Sequence, residues 1–130
     1  MKTTLTILCC ILVNWCSPLK GNDLANLIFP LQQQHVHGSS IVEAPNGDLL
    51  AVWFQGSGER KANDVSLKGA RLREGEKQWS SVFEMADTPG HPDCNPVLFV
   101  DQRQRLHLFW IVVVANRWEN SILKHRISTD

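Results

Sequence analysis

HGSSIVEAPNGDLLAVWF, residues 37–54, is echoed about 56 residues later by DCNPVLFVDQRQRLHLFWIVV, residues 93–113. Ile41 is matched to Val97, Val42 to Leu98, Leu49 to Leu106, Val52 to Phe109 and Trp53 to Trp110, which requires one extra residue in the second turn. Each copy is an apolar strand, a tight polar turn and a second apolar strand carrying Trp near its end. A sheet-forming unit repeated at this spacing predicts a propeller or another stacked array. Arrays of this type hold ligands on the loops of one face, and those loops can be located from the sequence.

Strand signals fill the rest of the repeat. Ser39 to Ala44 is the first strand, and Asn46-Gly47 is expected to supply positive φ angles for a tight hairpin. Leu49 to Phe54 is continuously apolar, as a strand covered on both faces should be. Asp64 to Leu72 and Trp79 to Met85 complete a first unit. Asn95 to Val100, Arg105 to Val114 and Ser121 to Ser128 begin a second, with its tight turn at Gln102-Arg103. Successive antiparallel strands put connections on alternate faces. His35 to Gly38, Gln55 to Asn63, Ala86 to Cys94 and Ala115 to Asn120 therefore share one face, and the short turns share the other.

The 130 residues would suffice for one ordinary domain, but a closed propeller needs at least four blades. The chain thus reads as the beginning of a larger molecule. Its charge is balanced, with 13 basic and 13 acidic residues, and no basic stripe points to nucleic acid. Residues 1–21 have a basic start, an apolar run from Leu5 to Val13 and a break at Trp15-Cys16-Ser17-Pro18, the pattern of a secretory signal peptide. Export to the periplasm or the extracellular space follows. Residues 22–34 are then a lead-in, and 35–130 form a fragment of blades at 35–86 and 87–130. Cys94 would be the one cysteine of the mature chain, so no internal disulfide is expected. Nothing after the leader is apolar enough to span a membrane.

Several segments together resemble the sialidase (neuraminidase) superfamily, in its BNR or Asp-box branch. HGSSIVEAPNGDLLAVWF is similar to the opening blade motif, GSGERKANDVSL to the stretch holding a second arginine and the acid/base aspartate, and CNPVLFVD to the Asn-Pro strand of the second blade. Ser128-Thr129-Asp130 match the start of an Asp-box, and Gly75 to Trp79 resembles a copy one residue too long. The resemblance covers about residues 35–130. It implies an all-β fold, a partial six-bladed β-propeller with about two four-stranded blades present, whose remaining blades lie outside this chain. It also implies an exported glycoside hydrolase acting on terminal acidic sugars.

Such enzymes grip the sugar carboxylate with three arginines, use an aspartate as acid/base and attack with a tyrosine paired to a glutamate. Matched by position, Asp64 takes the acid/base place and Arg60 the second arginine place, while His37 stands where the first arginine belongs. Histidine lacks the two-pronged, permanent charge of guanidinium. The chain contains no tyrosine.

The alternatives are local. Asp64 could cap its own loop, and Arg60 beside Glu59 could be a solvated ion pair. His37 could be a proton-transfer group, which would make a His-centred site on another glycan. His35 and His37 could hold zinc only with further ligands, for which His91 is the nearest candidate in sequence, so no metal or cofactor is implied. Asn95 could bond a sugar hydroxyl or its own loop. Glu59, Arg117 and Trp118 complete the ligand-side set, with Trp118 the stacking candidate. A non-catalytic carbohydrate- or protein-binding propeller is a further reading.

Overall fold

The computed structural model describes residues 27–128. The proposed signal peptide, residues 22–26 of the lead-in and the last two residues of the Asp-box remnant lie outside them. Among the described residues, seven strands form two antiparallel meanders. The first sheet runs in the order β1 (His35–Glu43), β2 (Leu49–Gly56), β3 (Ser66–Leu72), β4 (Phe83–Ala86). The second runs β5 (Asp93–Val100), β6 (Leu106–Val112), β7 (Ile122–Ser128). A 3-10 turn, η1 (Trp118–Asn120), interrupts the β6–β7 connection. Trp79 precedes β4 rather than opening it, and packs against the outer side of the first sheet.

The internal repeat is real, but its register differs from the expected one. Glu43 pairs with Leu49 and Val100 with Leu106, so the offset is 57 in both strands and no extra residue enters the second turn. Ile41 therefore corresponds to Leu98, not Val97. The two turns agree in detail: Ala44 N–H bonds Asp48 O, and Asp101 N–H bonds Arg105 O. Each has one left-handed residue, Gly47 (φ 83°) and Gln104 (φ 60°). Asn46 is not left-handed, so these are type I turns closed by a bulge residue rather than two-residue I′ hairpins.

A second shared irregularity lies at the start of each unit. Register breaks between His37 and Ser40 in β1 and between Cys94 and Val97 in β5. The equivalent residues inside these bulges, Gly38 (φ 59°) and Asn95 (φ 49°), are both left-handed. Glycine carries no Cβ penalty there, and asparagine is among the few residues that tolerate it.

The sheets stack with equivalent faces pointing the same way. Val42, Leu50, Val52 and Phe54 of the first sheet meet Leu98, Leu108 and Trp110 of the second in one core. The residues equivalent to Val42 and Val52, namely Phe99 and Phe109, lie on the far side of the second sheet. Likewise Ile41, equivalent to buried Leu98, is 57% exposed because it lies on the side of the first sheet away from the second. On that outer side, Trp53 is covered by the lead-in, its ring stacked on Phe29 at 4.7 Å. Trp53 and Trp110 are thus packing residues.

Asp93 pins the β4–β5 connection to the second sheet, and its backbone reaches the segment before β3. It is fully buried, and its carboxylate accepts from Thr88 N–H, Thr88 Oγ1 (2.8 Å) and Trp110 Nε1 (2.6 Å). Its own N–H donates to Val65 O at 2.9 Å. Buried polar groups need such complete pairing.

Candidate functional site

The bulge in β1 and the loop after β2 place a polar group at one end of the stacked sheets. His35 and His37 share a face of β1 by the two-residue period of a strand, with ring centroids 5.6 Å apart. His37 is paired with Phe54, whose ring stands edge-on to it at 5.5 Å. Gly38 permits this: a Cβ there would meet Phe54 Cε1 at 2.6 Å. The same position lies 3.6 Å from Asn95 Oδ1, so the second bulge delivers Asn95 to the first.

The loop from 57 to 64 brings the acidic and basic members. Its ends are clasped by Asp64, which accepts hydrogen bonds from Ser57 Oγ (2.9 Å) and Ser57 N–H (3.1 Å). These bonds hold the Asp64 carboxyl below the ordinary carboxylate range. Between the clasped ends, Glu59 reaches the histidine pair: its carboxylate and the ring nitrogens of His35 and His37 all lie within 4.8 Å of one another. Glu59 O also accepts a long bond from Cys94 Sγ at 3.7 Å. Burial, then the charges of Glu59 and Asp93, push the Cys94 thiol up to about 12.

Arg60 sets its guanidinium over the Trp118 ring, 5.8 Å from the centroid. Trp118 is delivered by η1 after two consecutive left-handed residues, Ala115 (φ 52°) and Asn116 (φ 56°). Arg117, by contrast, spends its charge on Glu119 at 2.9 Å. The sequence-derived set therefore divides. His37, Glu59 and Asn95 cluster around the first bulge, Arg60 and Trp118 pair with each other, Asp64 clasps the loop, and Arg117 is engaged at the surface. His91 is turned elsewhere, with Nδ1 3.2 Å from Pro89 O.

Three features of the site escaped sequence reasoning: the Phe54 buttress, the Cys94–Glu59 contact and Glu59 as the neighbour of the histidines. Each depends on a contact across strands or loops. Only the His-x-His spacing had a local signal.

The BNR repeat-like domain matches residues 47–130, and the chain belongs to that family. No curated protein matches the chain. Among the described residues, no helix is long and apolar enough to cross a membrane.

Proposed function

From membership of the BNR repeat-like family, we propose that this chain is the opening part of an exported, sialidase-like β-propeller that binds terminal acidic sugars. The observation that carries the reading is the placement of His37, Glu59, Arg60, Asn95 and Trp118, from two strand bulges and two connections, at one end of the stacked sheets. Arg60 is the carboxylate contact, and Trp118 fixes its guanidinium by a cation–π contact. Asn95 bonds a sugar hydroxyl. Asp64 serves as acid/base, with a bound sugar carboxylate raising its depressed pKa by like-charge repulsion. Further blades cover Phe99, Leu123 and Ile127, which are 53%, 69% and 42% exposed on the outer side of the second sheet.

A second reading places His37 as the proton-transfer group of a different acidic-glycan enzyme. It is favoured by the pairing of His37 with His35 over Phe54, without an arginine at that point.

Saturation-transfer NMR on the full chain tests binding. Sialic acid or glucuronic acid should give signals that vanish in Arg60→Ala, and galactose should give none. Equal signals from galactose would refute acidic-sugar binding. Turnover of a fluorogenic sialoside is not expected, because a catalytic unit that lacks its nucleophile loses several orders of magnitude in rate. Turnover abolished by Asp64→Ala would show that the chain holds a complete site.

A further inference from the structure

We infer that His35, His37 and Glu59 form a binding site for a divalent transition-metal ion, with zinc as the natural candidate. Two imidazoles and one carboxylate are a donor set suited to zinc and its first-row neighbours, and poorly suited to calcium or magnesium, which prefer oxygen. The donor atoms already lie within 4.8 Å of one another. Metal–ligand bonds of about 2.0–2.2 Å put tetrahedral neighbours roughly 3.4 Å apart, so small side-chain rotations complete the site.

The surroundings support it. Both imidazoles rest against Phe54, at 6.0 and 5.5 Å between centroids, and this limits their rotation. Among the described residues, neither ring nitrogen pair nor the Glu59 carboxylate makes a hydrogen bond or ion pair. Arg60, the cation beside Glu59 in sequence, is turned to Trp118 instead. Three unpaired donors therefore lie side by side, and they come from two elements held in place by the Gly38 bulge and the Ser57–Asp64 clasp.

Three protein ligands leave at least one coordination position open. An anionic oxygen would fill it. Resting on the proposed acidic-sugar reading, the metal supplies at His37 the permanent positive charge that imidazole alone lacks, and the sugar carboxylate is its exogenous ligand.

The test uses the tag-free full chain with Zn²⁺ in calorimetry and Co²⁺ in visible absorption. One ion should bind per chain. His35→Ala and His37→Gln should each weaken binding by on the order of 100-fold, and Glu59→Gln by roughly 10-fold or more, while His125→Ala, in β7 beside His107, leaves it unchanged. Circular dichroism of each variant should match the parent, since all three side chains lie at the surface. Affinity unchanged in His35→Ala or Glu59→Gln, or lost in His125→Ala, would overturn the site. Glucuronate should then shift the Co²⁺ spectrum. No shift, with metal binding intact, overturns the carboxylate role alone. Metal binding absent while Arg60-dependent sugar binding persists overturns the metal and leaves the proposed function standing.

Discussion

Replacing Asp93 by alanine should be among the most damaging single changes available to this chain. The carboxylate has no solvent exposure, and three donors converge on it: Thr88 N–H, Thr88 Oγ1 at 2.8 Å and Trp110 Nε1 at 2.6 Å. A buried donor left without its acceptor costs about 1–3 kcal/mol, so orphaning the Thr88 and Trp110 donors together costs about 3–5 kcal/mol. The indole N–H cannot recover water, because Trp110 is only 3% exposed. The damage would also spread, since Thr88 Oγ1 accepts from Lys124 Nζ at 2.9 Å and Lys124 lies over the Trp110 ring at 5.4 Å. Against a total stability of about 5–15 kcal/mol, a loss of about 3–5 kcal/mol leaves little reserve. Urea unfolding of the full chain followed by tryptophan emission should report it, with Asp93→Asn falling between the parent and Asp93→Ala. Hydrogen exchange should show the Thr88 amide losing protection first. A cost below about 1 kcal/mol for Asp93→Ala would mean that the network does not fix the β4–β5 connection against the second sheet, and the argument from buried polar pairing would fail here.

Gln104 holds a left-handed conformation at the position where the first turn has Gly47, so Gln104→Gly should raise stability by about 0.5–1 kcal/mol in the same unfolding assay. The Cys94 thiol, pushed up to about 12, should resist iodoacetamide at pH 8 in the folded chain and react once urea exposes it. Asp101 is held well below the usual carboxylate range, first by the Arg105 N–H and then by the Arg105 and His107 side chains. A depressed carboxylate adds stability that is fully present above its unfolded pKa of about 4 and disappears as pH falls toward the folded value. Thermal scans should therefore show the melting point dropping on acidification below about pH 4, and Asp101→Asn should flatten that dependence.

The strands were legible because alternation and continuous apolar runs are local signals. Leu49 to Phe54 and Asn95 to Val100 announced themselves, as did the turn at Gly47. The register was harder. Ile41 looked like the counterpart of Val97 because both are apolar. In the fold Ile41 is equivalent to Leu98, and only one of the two is buried, since burial depends on which side has a neighbouring sheet. The bulges were invisible for a related reason. Gly38 and Asn95 differ chemically and share only a backbone angle. In the site, the connections after β2 and β6 fall at one end of the sheets as strand alternation requires, but His35 to Gly38 is the bulged start of β1 rather than a loop, and the partners were not legible. Asp64 found Ser57, Arg60 found Trp118 and the histidines found Glu59 rather than His91, all through loop closures that no sequence period encodes.

The same-way stacking of the two sheets has a consequence for symmetry. A contact between a face and its own copy would be self-limiting, because two units would satisfy each other and stop. Here the front of one unit meets the back of the next, so the junction is head-to-tail and has no built-in end. Phe99 and Phe109 repeat, on the front of the second unit, the positions Val42 and Val52 use to engage it. Any addition that satisfies this front by the same rule exposes another. A series built this way ends in a cap, as the lead-in covers the back of the first unit over Trp53, or in rotation that brings the last front round to the first back. In any array of this kind that closes, closure is a property of the angle between units, and no single sheet carries it alone.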